Sequence, residues 1–202
     1  MLGPMGAPGW PPAAGTAMLA VAGNAAEAAA AVRSGATLVE LGTASPAAIA
    51  AFRSGHPGVL VCAECERADV VRDPDTALRT GAILVCDGLP AAASAPVPRS
   101  QLLVDVPPAM VPRAIAAGYA ALVDLRDGPA ATGAAVTGPA GGLAAVPADG
   151  LAAGPIAVAA ICAWLGAAVV RTSHPAQVRR ALDMAESIRG TRPPARTVRG
   201  LA

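Results

Sequence analysis

A glycine joint recurs four times along this chain of 202 residues and constrains its fold more than any other feature. In each copy an alanine-rich, helix-like stretch ends at a glycine and a short apolar run follows at once. The four copies are "SGATLVEL" at Gly35, "TGAILVCD" at Gly81, "AGYAALVDL" at Gly118 and "LGAAVVRT" at Gly166. A glycine just past a helix accepts the left-handed conformation that ends it, and a continuous apolar run is typical of a strand covered on both faces. The joints therefore predict helix-to-strand connections in a parallel sheet.

Three further apolar runs, "MLAVA" (18–22), "GVLVC" (58–62) and "QLLVD" (101–105), bring the predicted strands to seven. Repeated βα units leave two architectures, an open doubly wound sheet and a closed (β/α)8 barrel. The nucleotide fingerprint G-x-G-x-x-G is missing after the first strand, where the sequence reads "AVAGNAAEAAAA". We expect an α/β fold of the (β/α)8 TIM-barrel type, shortened, with one strand missing or irregular.

The composition supports one packed domain, because 54% of the residues are hydrophobic and 14% are charged. We expect a flexible N-terminal segment at 1–16, the barrel domain at 17–190 and a flexible basic tail at 191–202. Residues 126–150 are rich in glycine and proline, which predicts a long loop over the sheet. The net charge of +1 gives no reason to expect nucleic acid as a partner. All fifteen basic residues are arginine, which excludes any mechanism that needs a lysine.

The cellular location is predicted to be the cytoplasm. Four cysteines, with no basic residue before Arg33 and no leader-like start, indicate a reducing compartment. A membrane span is the alternative, because residues 150–170 are uncharged and Arg171 follows them. Pro155 and the break at Gly166 argue against one continuous helix there. We therefore expect no membrane partner.

Polar residues end most of the predicted strands, and βα sheets place their ligands at that edge. This edge is expected to hold Glu40, Glu64, Asp87, Asp105, Asp124, Arg171 and His174. Such a mixture suits a polar heterocycle with an anionic arm, with Arg171 as a two-pronged anion clamp. The alternative for each position is a residue that simply caps the following helix.

The C-terminal stretch "GPIAVAAICAWLGAAVVRTSHPAQVRRALDMAESI" resembles the end of the dihydropteroate synthase family, in which a helix, Gly-Ala, an apolar strand and Arg-x-His-Asp close the barrel. "SGATLVELGTAS", "TGAILVCDG" and "QLLVDVPP" are similar, in the right order, to the family's second strand, its Asn-Asp strand and its Asp-Pro-Gly strand. The family joins a pterin pyrophosphate to p-aminobenzoate in folate synthesis. Carboxylates hold its pterin deep in the barrel, and the pyrophosphate lies near the rim.

The resemblance implies that Asp87, Asp105 and Arg171 are substrate-binding residues. His174 lies one position after the family's histidine, where Ser173 stands, so it joins this predicted set only if the loop is rearranged. Its alternative is a cap on the last helix. The partners implied are a pterin-like small molecule and, for the chain itself, a second copy or a full-length synthase.

Other family positions are replaced. Ala20 stands at the first-strand asparagine, Cys86 at the pterin-binding asparagine, and Ala63 at the third-strand aspartate unless Glu64 takes its place. No lysine can supply the family's strand-seven lysine, and the mobile loop after strand one is gone. The family's Mg²⁺ would lack its asparagine ligand at Ala20. Because stabilising the departing pyrophosphate needs such groups, we expect weak or absent turnover and no certain cofactor.

Two alternatives of other classes remain open at this stage. Cys62 and Cys65 form a C-x-x-C pair beside Cys86, and with His174 they could hold a soft metal or act in redox chemistry. Buried cysteine also serves as a small hydrophobic residue. The other alternative is a non-catalytic partner of a full-length synthase.

Overall fold

The computed structural model describes Trp10, residues 15–126 and residues 153–191. Most of the predicted N-terminal segment 1–16, the predicted loop 126–150 and the tail 191–202 lies outside the described residues. Eight strands form a closed barrel in which each strand is parallel to its neighbours. They are β1 (Ala17–Val21), β2 (Leu38–Gly42), β3 (Leu60–Ala63), β4 (Val70–Val71), β5 (Ile83–Asp87), β6 (Leu102–Asp105), β7 (Ala120–Asp124) and β8 (Val169–Thr172).

Seven α-helices occur among the described residues. They are α1 (Ala25–Arg33), α2 (Pro46–Gly55), α3 (Pro74–Thr80), α4 (Gly88–Ala93), α5 (Val111–Ala116), α6 (Ala153–Leu165) and α7 (Pro175–Ile188). The expected barrel is thus confirmed, and the open doubly wound sheet is wrong because β1 pairs with β8. No helix in the described ranges combines the length and apolar content that crossing a bilayer requires.

The predicted glycine joints are present at all four positions. Gly81, for example, has φ 75°, and its N–H donates to the carbonyl of Ala77 to close α3. Gly166 has φ 91° between α6 and β8. An L side chain is strained in this left-handed region, so glycine lets the chain turn from each helix straight into the next strand.

The strand count differs from the seven expected, because β4 consists of only Val70 and Val71. It pairs with β3 at Cys62 and with β5 at Ile83 and Leu84. Residues 88–100 contain α4 and the start of a short 3-10 helix but no strand, so β5 pairs directly with β6. The barrel is therefore closed by a strand before the Asp87 strand rather than by one after it.

Two apolar clusters lie on the two sides of the barrel wall. Side chains alternate along a strand, so one set points inward and the other meets the helices. The inner cluster comprises Ala17, Leu19, Leu38, Cys62, Val70, Ile83, Val85, Leu103, Leu122 and Val169. Trp10, Leu60 and Ala168 are partly buried and pack against this cluster. The inner cluster fills the barrel interior, and polar side chains occupy the next inward positions toward the carboxyl ends of the strands.

Candidate functional site

The carboxyl ends of the strands surround a cavity of about 410 Å³, which we call the mouth cavity. It is lined by Glu40, Gly42, Cys62, Ala63, Glu64, Arg72, Asp105, Asp124, Arg126 and Arg171. The volume falls within the range of small-molecule sites, and the place is where barrel enzymes bind their ligands. Four carboxylates and three guanidinium groups give the lining a strongly polar character.

Arg171 lies at the centre of this arrangement and is 5% exposed. Its Nε donates to Oε2 of Glu40 at 2.6 Å, its Nη2 donates to Oε1 of the same carboxylate, and its Nη1 donates to Oδ2 of Asp124 at 3.0 Å. Two carboxylates therefore neutralise its charge. The expected role as a free anion clamp does not fit this geometry, because the two-pronged face of the guanidinium already holds Glu40.

Asp124 is held from two sides. Its carboxylate accepts hydrogen bonds from the Arg126 side chain, the shortest at 2.7 Å, and from the Arg126 backbone N–H at 3.0 Å. Burial acts to raise the pKa of Asp124, but these hydrogen bonds and the charge of Arg171 outweigh it and hold the pKa below its ordinary value. Asp124 is therefore a stable anion that fixes both arginines.

Asp105 is the less compensated carboxylate of the cavity. Burial and the neighbouring charge of Asp124 raise its pKa, and Arg72, whose Nη2 lies 3.8 Å from Oδ2, opposes the change. A carboxylate with few hydrogen bonds and a raised pKa can exchange protons or accept N–H groups from a ligand. Asp105 is thus the group in the cavity best suited to a ligand's donor edge.

The other predicted residues divide between the cavity and the surface. Glu64, exposed, lies at the cavity edge beside Ala63. Asp87 is the last residue of β5, at the mouth, with 83% of its side chain exposed, and it accepts a 3.0 Å hydrogen bond from Arg72. His174 is exposed before α7, does not line the mouth cavity, and donates its backbone N–H to Oγ1 of Thr172.

Arg72 and Arg126 belong to the cavity but are absent from the predicted site. Arg72 follows β4 directly, and a two-residue strand leaves too short a pattern to recognise. Arg126 comes two residues after Asp124, so the alternation of inward side chains beyond β7 is the signal that could have revealed it.

The cysteines do not converge on one metal position. Cys62 points into the barrel with the inner cluster, whereas Cys86 and Cys162 pack in the outer cluster between strands and helices. Burial raises the pKa of Cys62 to about 11, with a contribution from Glu40, and burial raises that of Cys162 to about 11. No group of three metal-ligating side chains is found within the residues that the structure describes. These thiols behave as core residues.

Comparisons with known proteins point to one family, although no protein-family model matches the chain. A segment of 49 residues is 51% identical to inactive dihydropteroate synthase 2 of Mycobacterium tuberculosis, covering 24% of this chain and 15% of that protein. The protein of the same name from Mycobacterium leprae is 49% identical over 49 residues, 24% of this chain and 17% of that protein. The aligned segment thus spans less than a fifth of the length of these relatives.

Solved structures match nearly the whole chain. Mycobacterium tuberculosis Rv1207 is 22% identical over 90% of this chain and 95% of that one, with a TM-score of 0.61. The Yersinia pestis dihydropteroate synthase with a pterine-sulfa conjugate is 15% identical over 88% of this chain and 94% of that one, with a TM-score of 0.65. The resemblance to the dihydropteroate synthase family is confirmed. The Xanthomonas albilineans dihydropteroate synthase, in complex with indole-2-carboxylic acid and 6-chloroguanine, has a TM-score of 0.66 at 15% identity over 88% of this chain and 94% of that one.

The positions that the dihydropteroate synthase resemblance singles out lie both inside and outside the mouth cavity. Asp105, which the resemblance places at the family's strand-end aspartate, lines the mouth cavity, and so does Glu64, next to Ala63. Ala20, which the resemblance places at the asparagine position, is fully buried in the outer cluster, and its methyl group offers no ligand atom to Mg²⁺. The residues present therefore do not fit the family's metal at that position.

Proposed function

We propose that the chain is a dihydropteroate synthase-like protein that binds a pterin-like heterocycle and is weak or inactive in joining pterin pyrophosphate to p-aminobenzoate. The observation that carries this proposal is the mouth cavity, which keeps the carboxylate of Asp105 on its wall but offers an anion no uncommitted Arg171. The heterocycle half of the site is retained, and the pyrophosphate half is degraded. The name of the mycobacterial relatives, inactive dihydropteroate synthase 2, supports the same reading.

The chemistry of Asp105 supports the heterocycle. A pterin presents a ring N–H and an exocyclic amine side by side, which is the donor pattern that a carboxylate accepts with two parallel hydrogen bonds. Glu64 at the cavity edge can accept from a further ring donor. The polar lining gives such a ring orientation as well as space.

The loss of turnover follows from the groups that would stabilise the departing pyrophosphate. Removing one such contact typically costs about 3 kcal/mol of transition-state stabilisation, or more than a hundredfold in rate. The chain has no lysine, and Ala20 replaces the asparagine. We therefore expect turnover several orders of magnitude below that of a full-length synthase.

The test is calorimetric titration with 6-hydroxymethylpterin and with a pterin pyrophosphate analogue. The native chain should bind both within about threefold of each other, because each of the three arginines that line the mouth cavity is already paired with a carboxylate. Asp105→Asn should weaken binding about tenfold or more, which corresponds to at least about 1.4 kcal/mol. Asp75→Asn, at an exposed residue of α3, is the matched control. A native chain that binds neither ligand, or an Asp105→Asn variant that binds as well as native, would contradict the proposal.

A second candidate function is that of a non-catalytic partner of a full-length synthase, with a homodimer as the related outcome. The observation that favours it is an apolar outer face on α6 and α7, where Ile161, Trp164, Met184 and Ile188 are 55%, 56%, 57% and 67% exposed. Exposed apolar groups on adjacent helices are typical of interaction sites. Sedimentation of the chain alone and mixed with the synthase of its host, for native and Trp164→Ser proteins, would separate monomer, homodimer and mixed complex. A native chain that stays monomeric in both samples would exclude this function.

A cytoplasmic location, with neither nucleic acid nor membrane as partner, belongs to the same proposal. It is supported by four unpaired cysteines and by the net charge of +1. Fractionation of the native host should find the protein with the other cytoplasmic proteins.

A further inference from the structure

Arg72 is a charged residue of the mouth cavity that the proposed function does not use. It stands directly after β4, two positions beyond Val70, whose side chain is part of the inner cluster. The alternation of side chains therefore directs Arg72 toward the barrel axis. It lines the mouth cavity, and 40% of its side chain is exposed.

The guanidinium of Arg72 bridges two aspartates on neighbouring strands. Asp87 and Asp105 are register partners, so their carboxylates stand side by side at the ends of β5 and β6. Nη1 of Arg72 donates to Oδ1 of Asp87 at 3.0 Å, and Nη2 lies 3.8 Å from Oδ2 of Asp105. Arg72 thus hydrogen-bonds Asp87 and lies at ion-pair distance, without a hydrogen bond, from the carboxylate that the heterocycle is expected to use.

A guanidinium and the 2-aminopyrimidinone edge of a pterin offer a carboxylate the same hydrogen-bond donor pattern. Each is planar and presents two N–H groups side by side, with a spacing that matches the two oxygens of a carboxylate. A ring that makes this contact with Asp105 takes the place of the Arg72 guanidinium, whose Nη2 lies 3.8 Å from Oδ2 of Asp105. They are therefore competitors for one acceptor.

We propose that Arg72 determines which ligands the mouth cavity accepts, by occupying Asp87 and Asp105 so that a heterocycle with a 2-aminopyrimidinone edge binds only after displacing it. This inference rests on the proposed function, because the heterocycle is the ligand proposed above. The displacement is feasible because the ion pair is partly exposed, and such pairs contribute little to stability. The displaced side chain can turn outward, since the mouth is open to solvent.

The first test compares calorimetric titrations of the native chain, Arg72→Gln and Arg113→Gln with 6-hydroxymethylpterin. Arg113 is an exposed residue of α5, so its variant removes the same charge away from the cavity. Arg72→Gln should bind about fivefold more tightly than native, the factor expected for losing a partly exposed ion pair, and Arg113→Gln should match native. Guanine carries the same edge, so it is the second probe; a similar gain for both rings assigns the effect to the shared edge.

The outcomes separate this inference from the proposed function. Native binding that is unchanged or weakened in Arg72→Gln overturns the inference and leaves the proposed function standing. Binding by Arg72→Gln but not by the native chain contradicts the proposed function of the native chain and shows instead that Arg72 closes the cavity to the ring. Absence of binding by both proteins overturns both proposals.

A measurement on the native chain covers a variant that fails to fold. Salt screens the exposed Arg72 ion pair and hardly affects an uncharged ligand, so the affinity for 6-hydroxymethylpterin should rise as sodium chloride increases from about 0.01 M to about 0.5 M. An affinity that stays constant or falls over this range counts against displacement of Arg72.

Discussion

Arg171 points from β8 into the barrel and donates hydrogen bonds to Glu40 of β2. The strand β1 lies between β8 and β2, so this contact crosses one strand. Its burial removes hydration that only its carboxylate partners replace, so the pair is stable as a unit rather than through either member. The same residue that the resemblance assigns to substrate binding is here a structural link between β2, β7 and β8.

Replacing Arg171 should therefore destabilise the fold. Arg171→Ala leaves Glu40 and Asp124 without their shared cation, and breaking a buried pair in this way costs about 3 to 5 kcal/mol of the free energy of unfolding. Urea denaturation measures it. Because Glu40→Gln removes the abandoned charge, the double variant should recover part of the loss; a double variant as unstable as the sum of both single changes would argue against the pair.

Asp105 links stability to pH. Because its pKa is raised by burial and by Asp124, the folded chain holds this proton at a pH where the unfolded chain has released it. Its contribution to stability is fully present below the unfolded-state pKa and is lost as the pH rises through the folded-state pKa. Asp105→Asn should raise the melting temperature at pH 7 and give no gain at about pH 3. An equal gain at both values would assign the effect to something other than ionisation.

At the scale of single residues, the sequence predicted most of the residues that line the cavity but not which of them form ion pairs. Five of the residues predicted at the strand ends, Glu40, Glu64, Asp105, Asp124 and Arg171, line it because βα alternation places strand-end side chains on one rim. The pairing of Arg171 with Glu40 could not be read from the sequence, since the two are 131 residues apart. His174 does not line the cavity, because the loop after β8 turns it to solvent.

The link between β3 and β4 is the least regular element of the barrel. No helix separates these strands, and Asp69 connects them instead: its backbone N–H donates to the carbonyl of Val61 at 2.8 Å, and its carboxylate accepts from the Val61 N–H at 2.9 Å. Arg53 of α2 also donates to this carboxylate. The backbone N–H and the carboxylate of Asp69 thus supply hydrogen bonds that stand in for part of the ladder between β3 and β4.

Asp69→Ala should loosen this region. The Val61 N–H loses its acceptor, and leaving such a group unsatisfied costs about 1 to 3 kcal/mol. Denaturation should report that loss, and amide hydrogen exchange should accelerate at Val61 and Val70 while β1 and β8 keep their protection. Asp75→Asn, at an exposed residue of α3, should leave both measurements unchanged. Uniform acceleration through the barrel would contradict a local role.

Among the elements, strands with long apolar runs could be predicted from the sequence, whereas the two-residue strand β4 could not. The seven expected strands have their counterparts because each contains four or five residues, most of them apolar and followed or preceded by a clear turn. β4 escaped because two valines in a charged stretch carry no periodicity. Closure of the barrel depends on neighbours far apart in the chain, which local pattern does not encode.

Across the whole molecule, charged side chains gather at the carboxyl ends of the strands, whereas most of the cysteines are buried in the core. Cys62, Cys86 and Cys162 are buried, whereas Cys65 is partly exposed. Burial raises the pKa of each of the three buried thiols, so little thiolate forms near neutral pH.

Thiol labelling should follow this distribution. With a disulfide reagent at about pH 8, one thiol, that of Cys65, should react rapidly in the folded chain, and the remaining three should react only after unfolding in urea. Cys65→Ser should abolish the rapid phase. Rapid reaction of Cys62 in the folded chain would instead revive the redox alternative.

The two tryptophans lie in different environments. Trp10 is partly buried against the inner cluster, and Trp164 lies 56% exposed on the outer face of α6. The Trp10 indole is partly buried and should emit at shorter wavelength than the more exposed Trp164, which a dissolved quencher such as iodide reaches more readily. Because the chain contains no other tryptophan, a single fluorescence spectrum carries two separable signals, one for the integrity of the barrel and one for whatever settles on its flank.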